Sequence, residues 1–147
     1  MIQFRTLQKK DIPSLLQLYI QLDPVNDFLE VEEAQDIWEK ISKNENIKYF
    51  VAVDDDKVVS TCWSCLIPNM THHGGTICFI ENVVTDINYR KMGLAKKVIQ
   101  MAIDDAKENN CYMACLLSNT KRTEAHKFYE KIGFKGDIKK GFVMKFE

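Results

Sequence analysis

The chain has 147 residues, 46% of them hydrophobic and 28% charged, with a formal net charge of −1 and a pI of about 6.3. That is one domain's length with enough apolar content for a core, and no basic excess is available to neutralise a polyanion, so nucleic-acid binding is not expected. No cationic leader precedes an apolar run, no apolar run approaches a bilayer span, and five cysteines fit free thiols better than a disulfide framework. The expectation is a single domain over residues 1–147, cytoplasmic and not membrane-bound.

In chain order, MIQFRTL alternates and predicts a first strand. KKDIPSLLQLYIQL predicts a helix, with Asp11 as N-cap, Pro13 in the first turn, and Ile12, Leu15, Leu16 and Tyr19 on one stripe. VEEAQDIWEKIS predicts a second helix. YFVAV-DDDK-VVSTCWSCLIP reads as a hairpin closed by an acidic turn, and PNMTHHGG as a loop. The stretch CFIENVVTD follows as a strand, then INYRKMGLA and a long helix in which Leu94, Val98, Ala102 and Ala106 recur every four residues. CYMACLLS is another strand, RTEAHKFYEKIG a helix ending at Gly133, and GFVMKF a closing strand. The order β-α-α-β-β-β-α-β-α-β predicts a mixed sheet with helices on both faces.

Glu81 is the anomaly. Read with period two, Ile77, Phe79, Glu81 and Val83 share one face of their strand, and Cys78, Ile80, Asn82 and Val84 the other. Both faces are apolar enough for a covered strand, where an ionised carboxylate costs several kcal/mol unless it is paired or protonated. Glu81 therefore either reaches a cleft or is a buried structural acid. The junction beyond it, Arg90-Lys91-Met92-Gly93-Leu94-Ala95, has the spacing R-x-x-G-x-A between a strand and a helix. A helix start offers unpaired N–H groups and a positive dipole end, Gly93 permits close backbone approach, and Ala95 keeps the first turn uncrowded. Such a loop suits a pyrophosphate, although a strand–helix turn with an incidental arginine has the same composition. It is neither a P-loop nor a three-glycine dinucleotide fingerprint.

Two further features suggest ligands weakly. Cys62-x-x-Cys65 with His72 and His73 resembles a zinc set only in composition, because residues three apart on a strand face opposite ways; no metal is expected. Six acids and no base lie from Asp23 to Asp36 (Asp23, Asp27, Glu30, Glu32, Glu33, Asp36). They suit either a solvated helix start or the approach of a cationic acceptor.

From IENVVTD through FYEKIGF the chain resembles the GNAT superfamily of acetyl-CoA-dependent N-acetyltransferases. The match is detailed in the C-terminal half and by element order in the N-terminal half. Arg90-x-x-Gly93-x-Ala95 matches the family's pyrophosphate loop, with Ala where a second Gly is commoner. The resemblance implies a mixed α/β GNAT-like fold with a central sheet of about six to seven strands, splayed between the strands around 77–84 and 111–117. It implies that pantetheine fills the splay, pairing with the backbone of Val83 and Val84. It further implies that Arg90 to Ala95 hold the pyrophosphate, that Asn119 contacts the cofactor, and that Tyr129 places its hydroxyl near the thioester sulfur. The reaction implied is acetyl transfer to a primary amine, small and possibly cationic, by direct attack in a ternary complex. Glu81 would take the amine's proton and Tyr129 would protonate the leaving thiolate; the alternatives are a structural acid and a packed ring. Transfer to a protein N-terminus or lysine, or a non-catalytic acetyl-CoA sensor, are the other functions such a chain could have. Many similar proteins are homodimers, which makes a homodimer the expectation here.

Overall fold

The computed structural model describes residues 1–23 and 29–146. Five strands run β1 (Ile2–Thr6), β2 (Ile47–Asp54), β3 (Lys57–Ile67), β4 (Thr76–Thr85) and β5 (Cys111–Leu116), ordered β1-β2-β3-β4-β5 across one sheet. The first three pairings are antiparallel, and β4 with β5 is parallel. The helices are α1 (Ile12–Leu22), α2 (Val31–Ser42), α3 (Leu94–Glu108) and α4 (Thr123–Lys131). Among the described residues no helix is long and apolar enough to cross a membrane. Asp27 of the acidic run lies outside them.

The expected elements form, with one exception. GFVMKF is not a strand: residues 139–146 carry no regular structure. The sheet therefore has five strands, not six or seven. The two-residue turn between β2 and β3 is Asp55-Asp56, both at positive φ (44° and 65°), the geometry whose twist matches a hairpin. Gly133, at φ 116°, follows α4 and lets Phe134 N–H reach back to the Tyr129 carbonyl.

Each face of the sheet has its own core. On one side Phe50, Cys62, Cys78 and Ile80 pack against the α3 stripe Leu94, Val98, Ala102 and Ala106, with Tyr129 of α4 at the margin. On the other, Val51, Val53, Val58 and Val84 meet Leu15 and Leu18 of α1 and Ala34 of α2. The simple alternation expected along β4 fails in its second half. Trp63 pairs with Glu81 and Thr61 with Val84, so Cys62 alone opposes both Asn82 and Val83. This is a β-bulge, and Asn82 carries it at φ 52°. The extra residue turns Val83 to the α3 side and Val84 to the α1 side, the reverse of the even period.

Asp11 precedes α1 but does not cap it with its side chain. Its carboxylate accepts from Gln8 N–H (2.8 Å) and forms a bidentate pair with Arg5 (2.6 and 3.0 Å). Burial alone would raise the Asp11 carboxyl, but Arg5 and the Gln8 N–H together hold it below its ordinary value. The pair's contribution is thus present above the ordinary carboxylate range and is lost as pH falls through the lowered pKa. Arg5→Ala strands a carboxylate that is only 2% exposed, at a cost of about 3–5 kcal/mol. The expected fall in Tm is on the order of 10 °C. Thermal melts should also show less acid sensitivity than wild type below pH ~4.

Candidate active site

The pairing of β4 with β5 ends at Ile80 opposite Leu116. Beyond that point Glu81–Thr85 hydrogen-bond to β3 only, leaving one edge of β4 open to a gap in the sheet. Strand separation and bulge are adjacent, with Glu81 at their junction. Its side chain lies on the α1 face, directly across from Trp63, whose other cross-strand neighbour is Tyr49. The Tyr49 and Trp63 rings stack at 6.0 Å, and Trp38 meets Tyr49 edge-on at 5.7 Å. Tyr19 of α1 completes this wall; its hydroxyl is buried without a well-formed hydrogen bond, beside the Asn82 side chain. Tyr49 also borders an apolar groove between α1 and α2 that includes Leu15, Ala34 and Trp38.

Half-burial raises the Glu81 carboxyl above its ordinary value, partly offset by the backbone N–H of Asn82. Tyr129 lies on the opposite face of the sheet, in the α3 core. Its ring packs on Phe128 (5.4 Å) and edge-on to Phe134 (6.1 Å) and is only 8% exposed. Burial raises its pKa, Arg122 opposes the shift, and the nearby Cys62 and Glu81 add to it. The Tyr129 ring is therefore part of the core, and its phenol is near enough to Glu81 to feel that charge.

The loop from Arg90 to Ala95 leads into the first turn of α3. Gly93 is its N-cap at φ 77°, and Lys91 also sits at positive φ (63°). The first-turn N–H groups of α3 therefore face outward from a left-handed cap, an arrangement that receives anions. Arg90 and Met92 are exposed beside it, while Leu94 is buried and holds the helix start down. Arg90 Nε donates to the Thr85 carbonyl at 3.2 Å, tying the loop to the end of β4. Val83 and Val84 lie on the stretch of β4 with no β5 partner.

Asn119 is exposed past the end of β5. Its Oδ1 accepts from Lys121 N–H and its carbonyl accepts from Arg122 N–H and His126 Nε2, so the residue is already engaged in shaping the turn into α4. His126 is half-buried and takes part in that turn.

Several site residues escaped the sequence. Asp86 is buried and paired with Lys57 (2.9 Å); it also accepts from Asn88 N–H and Gln21. Burial would raise its carboxyl, but these partners hold it below the ordinary value. Tyr89 donates to Asp54 (2.9 Å) under the Lys57 ammonium. Together they fasten the loop's approach to the β2–β3 hairpin. The signal was the acidic turn itself, read only as a turn. Trp63 and Asn82 could be found only from strand register. The acids of α2 serve locally: Glu33 accepts from Glu30 N–H as half of a capping box.

The model of the acetyltransferase (GNAT) family matches residues 12–134. The glucosamine 6-phosphate N-acetyltransferase of Trypanosoma brucei brucei is 28% identical over 134 residues, covering 91% of this chain and 89% of that protein. Among solved structures, a candidate acetyltransferase from Agrobacterium tumefaciens str. C58 is 34% identical with a TM-score of 0.92, covering 97% of this chain and 99% of that one. The glucosamine-6-phosphate N-acetyltransferase of Arabidopsis thaliana is 26% identical with a TM-score of 0.86, covering 100% and 98%. With the open β4 edge and the Arg90–Ala95 loop, these likenesses lead to one conclusion: the chain is an acetyltransferase of the GNAT family.

Proposed function

We propose that the enzyme moves the acetyl group of acetyl-CoA to a primary amine on a small molecule, by direct attack within a ternary complex. The observation that carries this reading is the coincidence of three features within a few residues: the end of β4–β5 pairing, the half-buried Glu81, and the α3 N-terminus. In the proposed complex pantetheine lies along the open edge at Val83 and Val84. The pyrophosphate rests on the loop formed by Arg90, Lys91, Met92, Gly93, Leu94 and Ala95. Asn119 borders the same arm from the end of β5. No metal takes part.

An alkylammonium, with a pKa of about 10.4, must lose a proton before it can attack. Glu81 accepts it, directly or through water, and its raised pKa makes it a better base than an ordinary carboxylate. The amine nitrogen bonds to the carbonyl carbon and the oxygen becomes an oxyanion, held by a backbone N–H near Val84. When the C–S bond breaks, the electron pair leaves with sulfur, which takes a proton from the Tyr129 hydroxyl. Solvent restores that proton. Burial keeps Tyr129 protonated at neutral pH and therefore available as a donor.

The acceptor approaches over the α1 face, where its ammonium meets the Glu81 carboxylate and the Trp63 ring. A cation on an indole face is stabilised by about 0.5–2 kcal/mol. This supports a cationic small-molecule amine better than the α2 acids do. The two relatives named for glucosamine 6-phosphate make an amino sugar the first acceptor to try. Five unbonded cysteines suit work in the reducing cytoplasm. Release of free thiol from acetyl-CoA, measured across a panel of amino sugars, polyamines and peptide amines, tests the reading. Turnover on peptides alone would move the activity to proteins, and binding without turnover on any amine would make the domain a sensor.

Three variants probe the assigned parts. Gly93→Val forces a β-branched residue to φ 77° and crowds the pyrophosphate. Isothermal titration should give an acetyl-CoA Kd about tenfold higher, or ~1.4 kcal/mol, and an unchanged Kd in a folded variant removes the loop from the cofactor site.

Tyr129→Phe keeps the ring's contacts with Phe128 and Phe134 and removes the donor. Steady-state kinetics should show kcat lower by roughly 10²–10⁴-fold with cofactor affinity retained.

Glu81→Gln should lower turnover about 10²-fold or more at neutral pH, and by less at high pH, where the amine arrives already deprotonated. The stability sign is opposite to that of Asp11. A carboxyl raised on folding stabilises the protein least when ionised, so wild-type stability declines as pH rises through its raised pKa. The glutamine variant should lack that decline. Wild-type kcat/KM at every pH would exclude Glu81 as the base.

A further inference from the structure

Tyr19 carries a buried polar group that the proposed mechanism does not use. Its ring packs against the core shared by α1, β2, β3 and β4, while its hydroxyl is buried and meets no acceptor at hydrogen-bonding geometry. Phenylalanine would fill the same space without burying an unpaired donor, so the hydroxyl needs a physical reason. The side chain it lies against is that of Asn82. Asn82 is the extra residue of the β4 bulge and sits at φ 52°. A bulged residue is left unpaired by the ladder, so side-chain contacts decide how the peptide before it is oriented. Among the described residues, the N–H of that peptide is what favours the ionised form of Glu81, against the burial that disfavours it.

α1 is fastened firmly enough to supply such a contact. Ser14 Oγ accepts from Val58 N–H at 2.8 Å, and Gln21 Oε1 accepts from Ile87 N–H at 2.9 Å. Leu15 and Leu18 are buried between these ties. Tyr19 is thus carried on a helix tied to β3 on one side and to the segment just past β4 on the other. Its titratable neighbours do not compete for Asn82. Tyr49 of β2 and Cys62 of β3 face the Tyr19 hydroxyl, and burial keeps both neutral. Glu81 lies opposite Trp63 of β3, and Tyr129 of α4, with Arg122 beside it, is near enough to feel its charge.

We propose that Tyr19 is a positioning residue: its hydroxyl donates to the Asn82 side-chain oxygen, a bond completed by a small rotation of that side chain, and so aims the Asn82 N–H at the Glu81 carboxylate. The carboxylate is then tuned from a helix that does not touch the reacting atoms. Tyr19 bears on the transfer only if Glu81 is the base proposed above, whereas its hold on Glu81 can be read without turnover.

Tyr19→Phe keeps the ring and removes the hydroxyl. It should keep the wild-type circular dichroism and an acetyl-CoA Kd within about twofold. In protein carrying carbon-13 at the glutamate side-chain carboxyls, the Glu81 resonance is identified by its loss in Glu81→Gln. Its titration midpoint should move to higher pH in Tyr19→Phe, because a carboxylate deprived of an N–H donor is harder to ionise. The acidic limb of kcat/KM should move in the same direction, and kcat at neutral pH should fall about tenfold. Asn82→Gly keeps the left-handed backbone and removes the other partner. It should raise the Glu81 midpoint as well, and adding Tyr19→Phe to it should change kcat by less than about twofold. A Glu81 midpoint that stays at the wild-type pH in either variant, or kcat losses that multiply in the double variant, would overturn the positioning role. A raised midpoint together with wild-type kcat/KM in Glu81→Gln would support the Tyr19 contact and overturn Glu81 as the base.

Discussion

The active-site half of this molecule depends on β4 giving up its second partner. A parallel pair such as β4–β5 normally continues until one strand ends, because each broken ladder bond leaves a donor and an acceptor to be satisfied elsewhere. Here β5 ends at Leu116, so the ladder stops at Ile80–Leu116 while β4 runs on to Thr85. The separation is sustained because each strand is fixed independently beyond that point. On β4, pairing with β3 continues and the Ser60 and Thr85 hydroxyls bond at 2.8 Å. On β5, the chain enters the Asn119 turn, fastened by Arg122 N–H and His126. A gap of this kind supplies backbone hydrogen-bonding groups to a ligand without exposing the rest of the sheet.

The bulge at Asn82 decides which face each residue serves. With strict alternation, Val84 would point at α3 and Val83 at α1. The extra residue exchanges them, so Val84 completes the α1 core while Val83 packs toward α3. Glu81, the last residue before the bulge, keeps its position opposite Trp63. Its carboxylate therefore faces the aromatic wall, while Tyr129 belongs to the core on the other face of the sheet.

Much of this was legible from the residues. α2 and the α3 stripe follow the helical period, so VEEAQDIWEKIS marked α2 and the spacing of Leu94, Val98, Ala102 and Ala106 gave the buried face of α3. The Arg90–Ala95 loop was legible because its chemistry is local: a left-handed cap needs glycine, and the helix follows at once. What was not legible depends on partners distant in sequence. Asp11 sits where an N-cap belongs, yet Arg5 and Gln8 claim its oxygens. Nothing in ENVV marks Asn82 as the extra residue, because the bulge is defined by Cys62 on the facing strand. Trp63 could not be assigned to Glu81 without that register. GFVMKF has a strand's composition, yet composition alone does not make a strand, and residues 139–146 pair with none of the five.

The loop that receives α3 illustrates how a small site is held on a marginally stable scaffold. Lys91, left-handed without being glycine, would relax if the segment were otherwise free to do so. It is not free. Asp86 is anchored to Lys57 and Gln21, Tyr89 to Asp54, and Arg90 to the Thr85 carbonyl, while Leu94 is buried in the α3 core. The β2–β3 hairpin, through Asp54 and Lys57, thereby fixes a loop some thirty residues further along the chain. Because Lys57 is exposed, its ion pair with Asp86 is weakened by salt, whereas the buried Leu94 contact is not. The loop's position is thus set jointly by screened and unscreened interactions. Raising the salt loosens its approach from β4 while leaving the helix start in place.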